Sequence, residues 1–194
     1  LVIVGWNETQ LILAPVPLAN IDRLCSLLLD FTRMDRRTAK RMVWMKVDLE
    51  QLQRWANDPV EANQHLEELI AAVGSEEEEV VSWASESLEN CGPPPQEKWT
   101  WIADRLAKES GDRQYWLCTL AGRIEQPEEA MERALVEVAS GEQVAEANAV
   151  RACWALARFP RLADSSRLAI QHLAEASPSA GLRQAAAKCC SSAG

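Results

Sequence analysis

The chain has 194 residues, more than one compact domain usually needs and fewer than two comfortable ones, a size typical of elongated repeat proteins. With 47% apolar and 25% charged residues it is neither a disordered tail nor a membrane-embedded chain, and no apolar run approaches the roughly 18 residues a spanning helix needs. Its formal charge of -9 argues against a nucleic-acid partner, because phosphate binding depends on clustered Lys and Arg that release counterions.

In chain order, Leu1 to Val4 and Leu11 to Leu13 are short apolar runs around Asn7-Glu8-Thr9, which predicts a small β-hairpin or an extended cap over residues 1–19. Asn20 is placed to cap a helix from Ile21 to Met34 and Asp35 one from Arg36 to Lys46, and Asp48 to Asn57 reads as an extra short helix. Residues 20–57 are therefore expected to form a degenerate helical unit plus that short helix. From residue 58 to 194 the pattern becomes regular.

Leu66, Leu69, Ile70 and Val73 form one stripe of an amphipathic helix, and Trp99, Ile102, Ala103 and Leu106 repeat it with a constant offset of 33. A third copy is Met131, Ala134, Leu135 and Val138, and a weaker fourth is Ser166, Ala169, Ile170 and Leu173. A second helix follows each stripe, with buried edges at Ala84, Leu88, Cys91; Leu117, Ala121, Ile124; Ala152, Leu156, Phe159; and Ala186, Cys190, Ala193. The central residues step by 33, 35 and 34. Ser75 with Glu78, Ser140 with Gln143, and Ser177 before Pro178 have the spacing of N-caps for these second helices, while Gly92-Pro93-Pro94-Pro95, Pro127 and Pro160 end them. The prediction is an all-α single domain, an α-solenoid of four antiparallel helix pairs with a repeat of 33–35 residues and an atypical N-terminal end.

Leu182-Arg183-Gln184-Ala185-Ala186-Ala187 and Ala121-Gly122-Arg123-Ile124, within second helices at Leu182 to Gly194, Leu117 to Ile124 and Ala152 to Phe159, resemble the HEAT and HEAT-like helical repeats. The resemblance covers about two thirds of the chain, and departs from the family pattern at Cys190-Ser191-Ser192, Arg113 and Asn148. It implies a solenoid whose second helices line a concave surface, and a non-catalytic scaffold or adaptor that binds a protein partner there. The same family also holds bilin lyases and alkyl-base DNA glycosylases. The lyase type is the alternative reading, and the acidic charge weighs against the glycosylase.

Trp83 and Trp116 share one column, five residues before Leu88 and Ala121, at the flank of the buried edge. They are the expected aromatic part of a partner site, or else gap-fillers between repeats. Beside them, the segment from Asp58 to Glu89 carries ten acidic residues, including Glu76, Glu77, Glu78 and Glu79, and no Lys or Arg. Such a field would steer a basic partner, or simply form a solvated face whose glutamates suit a helix N-terminus. Four consecutive glutamates splay around a helix, so calcium is not expected. A basic island at Arg33, Arg36, Arg37, Lys40 and Arg41 carries the opposite charge, which allows contact with an acidic partner or with the acidic segment of a second copy.

Nucleophile, phosphate-loop and dinucleotide signatures are missing, His65 and His172 fall in different registers, and the six cysteines have no Cys-x-x-Cys spacing. Neither cofactor nor metal is expected, and the cysteines read as reduced, mostly buried thiols of a cytoplasmic protein.

Overall fold

A computed structural model describes the backbone of Val2–Asn7 and Gln10–Ala14 and the whole of residues 48–192. The chain forms two compact units, Leu1–Lys46 and Val47–Gly194. In the first, β1 (Val2–Asn7) and β2 (Gln10–Ala14) pair antiparallel. The helices expected between Asn20 and Lys46, and with them the basic island Arg33, Arg36, Arg37, Lys40 and Arg41, lie outside the described residues.

The described part of the second unit is helical throughout: α1 (Leu49–Asn57), α2 (Pro59–Gln64), α3 (Leu66–Ala72), α4 (Glu78–Asn90), α5 (Trp99–Leu106), α6 (Gly111–Ala121), α7 (Glu129–Ser140), α8 (Glu146–Leu156), α9 (Asp164–Ala176) and α10 (Ala180–Ser192), with one 3-10 turn at Gln96–Lys98. Local chemistry sets several of these ends. The carboxylate of Asp48 accepts from the backbone N–H of Glu50, and Gln51 closes a capping box on the N–H of Asp48. Asp58 ends α1 and accepts from the N–H groups of Val60 and Glu61, so that α2 starts at Pro59, where no amide hydrogen is needed.

Burial follows the columns of the repeat. Leu66, Leu69, Ile70, Val73, Ile102, Ala103, Leu106, Met131, Ala134, Leu135 and Val138 are buried on the first helices. On the second helices the same holds for Ala84, Leu88, Leu117, Ala121, Ala152, Leu156 and Ala186, while Cys91, Ile124 and Phe159, expected on these helices, are buried just past their ends. The weak fourth copy is looser: Ile170 is buried, Ala169, Leu173 and Cys190 only partly. The first helices α5, α7 and α9 pack in succession, as do the second helices α6, α8 and α10, and each second helix also packs on its own first helix. Further back, α1 packs along α4 as α6 does along α8, so the short helix before the first repeat occupies the place of a second helix.

Three expected caps fall elsewhere. Ser75 accepts from the N–H of Glu77 in the approach to α4, whose first residue is Glu78. Ser140 is the last residue of α7 and donates back to the carbonyl of Val136, which leaves α8 to start at Glu146. Ser177 lies at the end of α9. Ser179 does the capping of α10, accepting from the N–H of Leu182 while its hydroxyl donates to Glu146. Serine hydroxyls bond back to a helix carbonyl as readily as they cap, and spacing alone does not separate the two.

Hydrogen bonds between units repeat with the period of the sequence. Ser87 donates to the carbonyl of Leu52 at 3.1 Å, Asn90 to that of Ala56 at 3.1 Å, and Asn148 to Gln114 Oε1 at 2.9 Å and the carbonyl of Gly111 at 3.0 Å. Glu132 accepts from the N–H of Ala163 at 2.9 Å and thereby caps α9 from the preceding unit. Asn148 is thus the centre of a satisfied buried network that Gln114 extends to the carbonyl of Leu106.

Two arginines bridge the first pair to the second, beside the ion pair of Lys98 with Glu67 at 2.6 Å. Arg113 crosses Gly74 and donates to the carbonyl of Ala71 at the end of α3. Arg123 reaches the end of α4, where its guanidinium donates to the carbonyls of Leu88 at 2.6 Å, Cys91 at 2.7 Å and Glu89 at 3.1 Å. Those are orphan acceptors at the negative end of a helix dipole.

Candidate functional site

The second helices α6, α8 and α10 lie in register, so equivalent columns meet side by side. Two residues before each column centre stand Thr119, Trp154 and Lys188, and two after the centres of α6 and α8 stand Arg123 and Arg158. Together with Arg151 they line a cavity of about 480 Å³ at the C-terminal ends of the three helices, bounded towards α4 by Glu89. Small residues at Cys118, Gly122, Ala155 and Ala157 form its floor.

Each polar side chain is held in a specific way. The Nε of Arg151 donates to Thr119 Oγ1 at 2.8 Å, and the guanidinium lies over the ring of Tyr115, 4.9 Å from its centroid. Lys188 Nζ sits 4.0 Å from the centre of the Trp154 ring. Trp154 itself is 41% exposed, where most indoles are packed away. Among the described residues no carboxylate lies within ion-pair distance of Arg151, Arg158 or Lys188. Cations near helix C-termini neutralise the dipole, which accounts for Arg123 and Arg158. That account does not extend to Arg151, which sits mid-helix, or to an uncovered Trp154.

The expected site residues are distributed differently. Trp83 on α4 and Trp116 on α6 are half-buried and pack against the apolar core, Trp116 with its ring edge-on to Tyr115. Glu76 and Glu77 lie in the turn before α4 and Glu78 and Glu79 in its first turn, all four exposed. His65 stacks on Trp55 with ring centroids 4.3 Å apart, and His172 is exposed on α9. Among the described residues no three His, Cys, Asp or Glu side chains gather as a metal site, and no helix is long and apolar enough to cross a membrane.

The five described cysteines are free thiols. Burial pushes Cys118, Cys153 and Cys189 up to about 12 from the ordinary 9.0, Arg151 drawing Cys118 back and neighbouring thiols raising the other two further. Burial also raises Cys91 and the partly exposed Cys190. Thiols held this way are packing groups rather than nucleophiles. Because the folded chain holds these protons more tightly than the unfolded one, their contribution to stability is full below about pH 9 and is lost as pH rises towards 12. Urea midpoints are expected to fall across that window, and less steeply in Cys118→Ala than in the wild type. Equal slopes would contradict the burial argument.

Compared with protein-family models, with curated proteins and with solved structures, the chain finds no match.

Proposed function

We propose that the protein is a non-catalytic scaffold, a HEAT-like solenoid that binds a protein partner on the surface of its second helices, at the groove of α6, α8 and α10. The observation that carries this reading is the uncovered Trp154 set among three cations that, among the described residues, have no carboxylate within ion-pair distance. Exposed aromatic and arginine side chains around a concavity are what interface centres are made of. The architecture is supported by helices that pack in succession and by cross-unit hydrogen bonds that keep the repeat's period. Reduced, buried thiols fit a cytoplasmic setting.

The test is affinity capture with the tagged chain and its Trp154→Ala/Lys188→Ala variant, whose exposed positions should leave the thermal melt close to that of the wild type. A specific partner should be recovered by the wild type and lost from the variant. Recovery of the same partners by both would sink the groove as the site, and loss in Trp83→Ala/Trp116→Ala alone would move the surface towards α4.

A further inference from the structure

We propose that the groove takes an acidic stretch of peptide, with carboxylates on Arg151, Arg158 and Lys188 beside the indole of Trp154. The inference rests on the scaffold reading and names the chemistry of its partner.

Arg151 is the most firmly held cation of the groove. Its Nε is engaged by Thr119 and its plane by Tyr115, so the fork is fixed before any ligand arrives, while among the described residues its terminal nitrogens meet no acceptor. A pre-set guanidinium suits the two oxygens of a carboxylate, and holding it in advance removes the entropy of ordering a long side chain on binding. Lys188 is likewise drawn to one place by the ring of Trp154, and Arg158 is exposed at the rim.

Charge then selects the ligand class. The net charge of -9 gives the molecule a field that repels polyanions at large, so a local cationic groove on such a protein marks a site rather than a general trend. At the α4 end the same face turns acidic, with Glu86 and Glu89 exposed. A duplex laid along the second helices would meet those carboxylates, and it needs a longer cationic track than three side chains offer. A few peptide residues fit a space of about 480 Å³ and can stop short of Glu89.

The experiment uses the full chain and fluorescence anisotropy with three labelled probes: a peptide of about ten glutamates, a glutamine peptide of equal length, and a short DNA duplex. The glutamate peptide should bind, weaken progressively with added salt, and bind at least about tenfold more weakly to Arg158→Glu/Lys188→Glu. Both positions are exposed, and because Arg158→Glu also opposes the dipole at the end of α8, Lys188→Glu alone, which leaves that end unchanged, should weaken binding in the same direction. Conversely, Arg151→Lys keeps the charge but not the fork, and should weaken binding without abolishing it. The inference is overturned if the glutamate peptide does not bind, if the glutamine peptide binds as well, if charge reversal has no effect, or if the duplex binds more tightly. A chain that loses its partner in Trp154→Ala/Lys188→Ala yet ignores the glutamate peptide retains the scaffold reading and loses this one.

Discussion

Replacing Arg123 by Met should destabilise the fold by roughly 3 kcal/mol or more, because hydrogen bonds to a charged group contribute about 1.5–3 kcal/mol each and three carbonyls lose theirs together. For a chain of this size that corresponds to a drop on the order of 10 °C in melting temperature. The three acceptors close the C-terminal end of α4 and the guanidinium, 17% exposed, stands between them and water. Methionine fills much of the same volume but takes the donor from the part-buried carbonyls of Leu88 and Cys91, leaving Leu88 only the Cys91 thiol and returning the carbonyl of Glu89 to water. Its ion pair with Glu89, at 3.9 Å to a carboxylate 67% exposed, contributes little beside this. Arg123→Lys should recover part of the loss, since one ammonium cannot span all three carbonyls. Hydrogen exchange should report faster opening of the last turn of α4 in the Met variant. A melting temperature within about 1 °C of the wild type would refute the joint.

The buried columns were legible because apolar periodicity and burial share one cause, the need of each helix to hide a stripe against the next. Leu88, Ala121 and Leu156 are at the centre of the core as their spacing requires. Caps were less legible, since a serine can cap or bond back: Ser140 donates to the carbonyl of Val136 in its own helix, and Ser177 accepts from the N–H of Ser179 ahead of α10. Arg113 and Asn148 make bonds to the preceding unit, a role that only their partners there reveal. The groove had a signal in the sequence. Following the column five residues before each centre singles out Trp83 and Trp116, whereas the column two before reads Glu86, Thr119, Trp154, Lys188, changing from acid to base along the chain. Its exposure was the missing quantity, because a helical position between buried edge and open face can go either way.

Gly122 tests whether that groove depends on the close approach of its helices. A methyl group at this position would lie 3.0 Å from the Cα and 3.1 Å from the Cβ of Ala155, so α6 and α8 would have to part by a few tenths of an ångström. Overpacking of this kind costs about 1–3 kcal/mol, against a gain of roughly 0.5–1 kcal/mol from replacing a helix-terminal glycine by alanine. The clash is with backbone, which cannot swing aside as a long side chain can, so the net effect of Gly122→Ala should be destabilising. Gly92→Ala is the internal control, since its added methyl meets only Asn63 Nδ2 at 3.6 Å and its backbone is not left-handed. It should melt at or above the wild-type temperature. Because Arg151 on α8 is held by Thr119 on α6, parting the two helices also loosens the fork, and Gly122→Ala should weaken binding of the glutamate peptide while Gly92→Ala leaves it unchanged. If both glycine variants melt alike, the approach of α6 to α8 is not limiting. Should Gly122→Ala melt lower but bind the peptide as tightly as the wild type, the Arg151–Thr119 contact does not prepare the site.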